Sequence, residues 1–163
     1  MKITLASALA GCALTVLVLA GCSTAEDSST ANSPAATSAP AAAAEIATAD
    51  SDLGEIIVDG EGMTAYVFDK DVADSGESTC VGECLVAWPP IMSASDEPVI
   101  DGVTGTIETI SIDGGKQITI NGLPIYTFAR DTAPGDTNGQ GVNDVWWVIS
   151  PDGEKISESA SGQ

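Results

Sequence analysis

Hydrophobic positions along this chain fall into three regimes. From Ile3 to Ala20 they run almost unbroken behind Met1-Lys2 and end in Leu19-Ala20-Gly21-Cys22. From Ser23 to Asp52 they nearly vanish: Ile46 is the one large aliphatic, no residue is aromatic, and 23 of the 30 residues are Ser, Thr, Ala or Pro. Past Asp52 they return as short β-branched or aromatic runs divided by Gly, Asp and Pro.

The third regime predicts strands, because short β-branched runs bounded by turn residues fit a pleated, half-buried surface. Gly54 to Val58, the turn Asp59-Gly60-Glu61-Gly62 and Met63 to Phe68 read as a hairpin. Thr106 to Ile112 alternates, Asp113-Gly114-Gly115-Lys116 turns, and Gln117 to Ile120 returns to Asn121-Gly122, two residues that tolerate the positive φ of a type I′ hairpin. Leu123 to Phe128 follows, with Pro124 confining it to an edge or a strand start, and Val145 to Ile149 closes before Ser150-Pro151-Asp152-Gly153. No segment has a convincing 3.6-residue apolar period. The expected fold is all-β: one compact domain, residues 53–163, built of two related hairpin or meander halves at about 54–100 and 114–153 after a disordered tether.

The first regime reads as a secretory signal, a short positive start followed by an apolar stretch. It approaches the roughly 20 residues of a membrane helix, so an uncleaved anchor is the alternative. Small residues directly before Cys22 favour cleavage, giving a signal peptide over 1–21. Leu19-Ala20-Gly21-Cys22 resembles the bacterial lipobox, which implies lipidation of the Cys22 thiol and a membrane held through that lipid. The same four residues at 9–12 follow too short an apolar run to serve. Residues 22–52 then form the lipid-anchored tether, too poor in apolar surface to offset the entropy of ordering. The location expected is extracytoplasmic, anchored on Cys22.

Charge narrows the function. The chain has 24 acidic and 5 basic side chains, no histidine, a formal charge of −19 and a pI near 4.1. Nucleic acid is excluded as a partner, since phosphates are bound by clustered Lys and Arg. Without histidine there is no imidazole base, no Ser-His or Cys-His nucleophile and no His-ligated zinc. The expectation is therefore no enzyme. The domain itself holds 19 acidic and 4 basic side chains, or −15, so the acidity belongs mainly to its loops. Once Cys12 leaves with the signal and Cys22 takes lipid, Cys80 and Cys84 remain as an even pair in an exported protein, which predicts a disulfide. Zinc would need ligands the mature chain lacks. A redox-active pair is the sharper alternative, opposed by Glu77 and Glu83, which disfavour thiolate.

A shift of sixty residues lays Gly62 on Gly122, Tyr66 on Tyr126, Phe68 on Phe128, Lys70 on Arg130 and Asp71 on Asp131. Trp88 in the first unit answers to Trp146 and Trp147 in the second, and all seven aromatic residues lie in these units. Two readings are open: the aromatics are core and each Asp caps its loop or meets a buried phenol, or the pairs line one binding cleft. With Ser78-x-Cys80-x-Gly82-x-Cys84, Trp88-Pro89-Pro90 and Asp131-x-x-Pro134-Gly135-Asp136, the two Tyr-x-Phe-x-x-Asp motifs resemble the secreted-repeat family of bacterial lipoproteins, over residues 54–153. The resemblance implies a lipid-anchored extracytoplasmic protein and supplies no activity.

Two acidic features could carry chemistry. Asp136, Asn138, Gln140, Gly141 and Asp144 follow EF-hand spacing, so a weak calcium site is an alternative to an Asx-rich turn, although Trp147 stands where the bidentate Glu belongs. Asp71 and Asp131 would be the pair of a His-free carboxylate hydrolase. The leading expectation is a non-enzymatic binding or interaction module for an unknown protein or small molecule, with no cofactor. Metal binding is the second reading, and thiol redox chemistry trails.

Overall fold

A computed structural model describes residues 44–157. The signal, Cys22 and the tether up to residue 43 lie outside the described residues. Its strands are β1 (Ile46–Ser51), β2 (Gly54–Asp59), β3 (Tyr66–Phe68), β4 (Met92–Ser93), β5 (Ile107–Ile112), β6 (Gly115–Ile120), β7 (Leu123–Pro124) and β8 (Trp146–Val148). Among the described residues helix is limited to α1 (Glu83–Ala87) and a 3-10 turn at Val142–Asp144, and every strand ladder is antiparallel, so the fold is all-β.

The alternating stretch after Thr106 becomes the β5–β6 hairpin, with Ile107 opposite Ile120 and Ile112 opposite Gly115. At its far end Asn121 and Gly122 take φ of 49° and 79°, the left-handed pair that a type I′ turn requires, and β7 folds back on β6. Pro124 sits at the short edge strand β7, where its missing N–H breaks no further ladder. β4 pairs with Lys116 and Gln117 on the edge of β6 away from β5, the edge that β7 also uses.

Alternation also divides the interior. In β2, Ile57 points into an aliphatic cluster with Ile46, Val67, Ile91, Ile118, Ile120, Ile125 and Ile149, while Ile56 and Val58 point into an aromatic one. In β3, Val67 joins the first cluster and Tyr66 and Phe68 the second. Successive side chains of a strand leave on opposite faces, so the same strands wall both cores. Each fully buried Ile in the aliphatic cluster contributes about 1.5–3 kcal/mol relative to exposure.

Two expectations need correction. Residues 46–51, placed in the tether by composition, form β1 and pair in full register with β2, Ile46 opposite Asp59 through Ser51 opposite Gly54. Ala47 and Ala49 are poor strand formers, but they pack on the aromatic cluster, Ile46 is buried, and the backbone bonds to β2 decide. Met63 to Phe68 does turn back on β2, yet only a bridge from Val58 to Thr64 forms there. β2 ladders with β1, and β3 with β8, so the hairpin is a turn joining strands whose main partners lie elsewhere.

Candidate functional site

The two Tyr-x-Phe segments meet backbone to backbone. Tyr66 N–H donates to the Tyr126 carbonyl at 2.8 Å and Tyr126 N–H to the Tyr66 carbonyl at 3.0 Å, a reciprocal pair that marks a pseudo-twofold axis between the repeats. Each segment then pairs with the other half. Tyr66, Val67 and Phe68 lie opposite Val148, Trp147 and Trp146, while Thr127 N–H and Ala129 N–H donate to the carbonyls of Pro89 and Ala87.

The side chains repeat this crossing. Tyr66 O–H donates to Asp131 Oδ2 at 2.6 Å, and Tyr126 O–H donates to Asp71 Oδ2 at 2.7 Å. Each Asp is set by a tight turn, its N–H donating to the carbonyl of the Phe three residues back, which is the physical reason for the Phe-x-x-Asp spacing. The second oxygens hold the loops: Asp71 Oδ1 accepts the N–H and O–H of Thr79 at 2.7 and 2.6 Å, and Asp131 Oδ1 accepts the N–H and amide of Asn138 at 2.9 and 3.1 Å. Ser78 Oγ lies 2.7 Å from the Tyr126 hydroxyl, and Gly139 N–H reaches the Tyr66 hydroxyl at 3.2 Å.

Both tyrosines are fully buried. Burial, reinforced by the bonded carboxylates, pushes both phenols well above their ordinary value, so they remain donors throughout the accessible pH range. Burial also raises Asp131, against the bonds from Tyr66 and Asn138 that favour its charge.

Between the pairs runs a ladder of rings from alternate repeats. Phe68 stacks on Trp146 at 4.1 Å, Trp146 on Trp88 at 3.8 Å, and Trp88 on Phe128 at 4.2 Å, with Tyr66 and Tyr126 edge-on to Trp88 and Trp146. Offset and edge-on pairs of this kind contribute about 0.5–1.5 kcal/mol each beyond their burial. Trp146, not Trp147, is thus the counterpart of Trp88. Trp147 leaves the opposite face of β8, half-buried against the aliphatic cluster, and its indole N–H donates to Asp69 Oδ2 at 2.8 Å, where Lys155 also binds.

The two ends of the ladder differ. At the first repeat's end, Lys70 lies over the Phe68 ring, 5.7 Å from its centroid. At the other end, Ala87, Trp88, Phe128, Arg130, Asn138 and Asn143 border an open cleft of ≈ 620 Å³. The motif residues are therefore chiefly core, and Phe128 with its neighbour Trp88 also borders this cleft.

Cys80 and Cys84 form a disulfide with a Cα–Cα distance of 5.3 Å, Cys80 being buried in the aromatic cluster. The candidate calcium ligands lie on one loop but are turned to different partners. Asp136 Oδ2 accepts the N–H groups of Thr132 and Ala133, Asn138 serves Asp131, Gln140 accepts from Val148 N–H and donates to the Ile156 carbonyl, and Asp144 sits exposed in the 3-10 turn. Among the described residues no three or more His, Cys, Asp or Glu gather as a metal group. Ser78 is legible in the sequence as part of the Ser78-x-Cys80 motif, whereas Thr79 and Gly139 are not. A close look at the loop after each motif Asp could have found them, because a buried carboxylate with one phenol needs further donors.

Two β repeats, held by crossed Tyr–Asp pairs and stapled by the Cys80–Cys84 disulfide, define a duplicated all-β domain. The sequence model described as a secreted repeat of unknown function matches residues 47–92 and 109–150, and the chain belongs to that family. Nothing among curated proteins or solved structures matches it.

Proposed function

We propose that the protein is a lipid-anchored, non-enzymatic binding module that holds a small acidic ligand in the cleft beside Trp88 and Phe128. The observation that carries this reading is the asymmetry of the ring ladder: one end is covered by Lys70, and the other opens beside Arg130. A guanidinium with five fixed donors, two Asn amides and aromatic edges suit a carboxylate or phosphate attached to an apolar or planar body. Arg130 is one of 4 basic side chains in a domain of net charge −15, so an anion has few other places to go. Leu19-Ala20-Gly21-Cys22 supports anchoring, since several acyl chains hold a membrane far better than one.

NMR titration of the mature chain carrying Cys22→Ala against a panel of aromatic carboxylates and sugar phosphates tests the cleft. Shifts centred on Trp88, Arg130 and Asn138, lost in Arg130→Ala, are expected. A hit that binds Arg130→Ala as well as the parent would place the ligand elsewhere. For the anchor, Cys22→Ala is expected to leave the membrane fraction, and an unchanged mass and fraction would remove the lipid.

A further inference from the structure

β5 is an edge strand. It ends the sheet order β4–β6–β5, and among the described residues its ladder is with β6 alone. Ile112 opposite Gly115 closes a two-residue hairpin, and at the other end Asn121 N–H donates to the Thr106 carbonyl. Bonded and non-bonded pairs alternate along an antiparallel ladder, so Glu108, Ile110 and Ile112 direct their N–H and C=O groups to β6. Those of Ile107, Thr109 and Ser111 point away from it, and no backbone hydrogen bond or bridge joins them to another described segment. Ser111 is exposed and Ile107 and Thr109 are half-buried, so packing does not seal the row.

Such a row is a template for another strand, and proteins usually blunt it with Lys, Pro, a bulge, a cover or a very short strand. β5 runs for 6 residues, Ile-Glu-Thr-Ile-Ser-Ile, with no Pro, Gly or Lys, and Glu108 is its one charge.

The surroundings select the strand that fits. Glu108 and Asp74 border one cleft along β5, Glu77 and Asp113 another, all four are exposed, and no basic residue lines either cleft. Lys116, across the ladder from Ser111, is already paired with Asp96. A second copy would bring another domain of charge −15, and apart from Lys2 the residues outside 44–157 include no Lys or Arg. The chain therefore holds no spare segment that complements this edge.

We infer that β5 is a docking edge for an extended basic strand of another protein. The incoming backbone completes the row at Ile107, Thr109 and Ser111, as in other cases of strand addition to an open sheet. Its Lys or Arg side chains, two residues apart and so on one face, meet the carboxylates beside β5. The edge shares no residue with the Arg130 cleft and has the opposite charge preference.

The test is an NMR titration of ¹⁵N-labelled mature Cys22→Ala chain at low salt with acetyl-Thr-Lys-Val-Lys-Val-Thr-amide. Slower amide exchange at 107, 109 and 111, with little change at 108, 110 and 112, is expected, because only the outward N–H groups gain a partner. Methylating the peptide's two Lys amides or its two Val amides blocks opposite edges of the bound strand. One pair of methyl groups is expected to weaken binding at least about tenfold, at about fivefold per lost hydrogen bond, and the other to change it little. The peptide with Glu in place of Lys is expected not to bind, and Glu108→Gln to weaken the Lys peptide about twofold, as an exposed ion pair does. Thr109→Pro removes an outward N–H without touching the bonds to β6, so it is expected to fold and to lose the peptide. If it does not fold, the methylated peptides decide alone. Equal loss from both methylated peptides, equal binding of the Glu peptide, or no effect at about 10 mM peptide, weaker than a millimolar site, would overturn the proposal. A mass of twice the chain, with 107, 109 and 111 protected before any peptide is added, would overturn it in favour of a second copy.

Discussion

Tyr66 and Asp131, 65 residues apart in sequence, are joined by a buried 2.6 Å hydrogen bond that ties the first repeat's strand to the second repeat's loop. Its mirror, Tyr126 to Asp71, ties the second repeat to the first. The repeated Tyr-x-Phe-x-x-Asp pattern is thus a joint between halves, with each half supplying the donor for one bond and the acceptor for the other.

Tyr66→Phe removes the donor and leaves a buried carboxylate short of one bond. A loss of about 1.5–3 kcal/mol is expected, the range for hydrogen bonds to charged groups. Urea unfolding of Tyr66→Phe, Asp131→Asn and the double variant would measure the coupling between them. Strict additivity would mean that the two side chains do not act as a pair.

Gly139 packs against the ladder so closely that an added Cβ would stand 2.7 Å from the Tyr66 ring and 3.0 Å from Trp88. Neither ring can retreat from a packed core, so Gly139→Ala is expected to destabilise by about 1–3 kcal/mol. Gly135, which has nothing within 4 Å of such a Cβ but sits at φ +82°, is a contrast in which only backbone strain acts. Thermal melts of the two variants compare the effects.

The disulfide closes a ring of five residues, Cys80 to Cys84. In the loop-entropy model such a ring stabilises by only about 2 kcal/mol. The Cys80→Ala, Cys84→Ala double variant should therefore still fold, with a lower midpoint in denaturant. Complete unfolding would show that burial of Cys80 in the aromatic cluster matters more than the bond.

Acid should loosen the outer face at Asp69 before the Tyr66–Asp131 pair. Burial opposes ionisation of Asp69, yet the bonds from Lys155 and Trp147 outweigh it and hold the carboxyl below its ordinary value of 3.8. A carboxyl lowered by folding stabilises fully above its unfolded value and loses that contribution as pH falls through the folded one. Asp131 runs the other way: raised by burial, its contribution is full at low pH and declines as pH rises through its folded value. Asp69→Asn should therefore flatten the fall in melting temperature below pH about 4. A melting curve at pH 3 as steep in its dependence as the parent's would exclude Asp69 as a contributor.

Ile46 offers a check on where the fold begins. Ile46→Ala is expected to cost about 2–5 kcal/mol, as in other buried aliphatic truncations. A residue of a free tether would cost nothing, and calorimetry distinguishes the two.

What the sequence made legible was local. Alternation located β5 and β6, Asn121-Gly122 located their neighbour β7, and the sixty-residue shift located Tyr66, Phe68, Asp71 and their counterparts. β1 was hidden because Ala47, Thr48 and Ala49 have little strand preference of their own, and their pairing depends on β2. The exchange of partners between β3 and β8 was hidden for a related reason: both Tyr-x-Phe segments have the same pattern, and pattern does not say which Trp each will meet. Arg130 and Lys70 align in sequence, and only the packing shows one beside an open cleft and the other over a ring.

The pairing of β3 with β8 also sets an order of events in folding. Tyr66–Phe68 is synthesised well before Trp146–Val148, and until the later segment is present the earlier one has neither its ladder partner nor the rings that cover it. Contacts that span most of a domain form slowly and only after the intervening chain is present. The first repeat therefore has no core of its own to close on, and the domain closes as a whole once its last strand is in place.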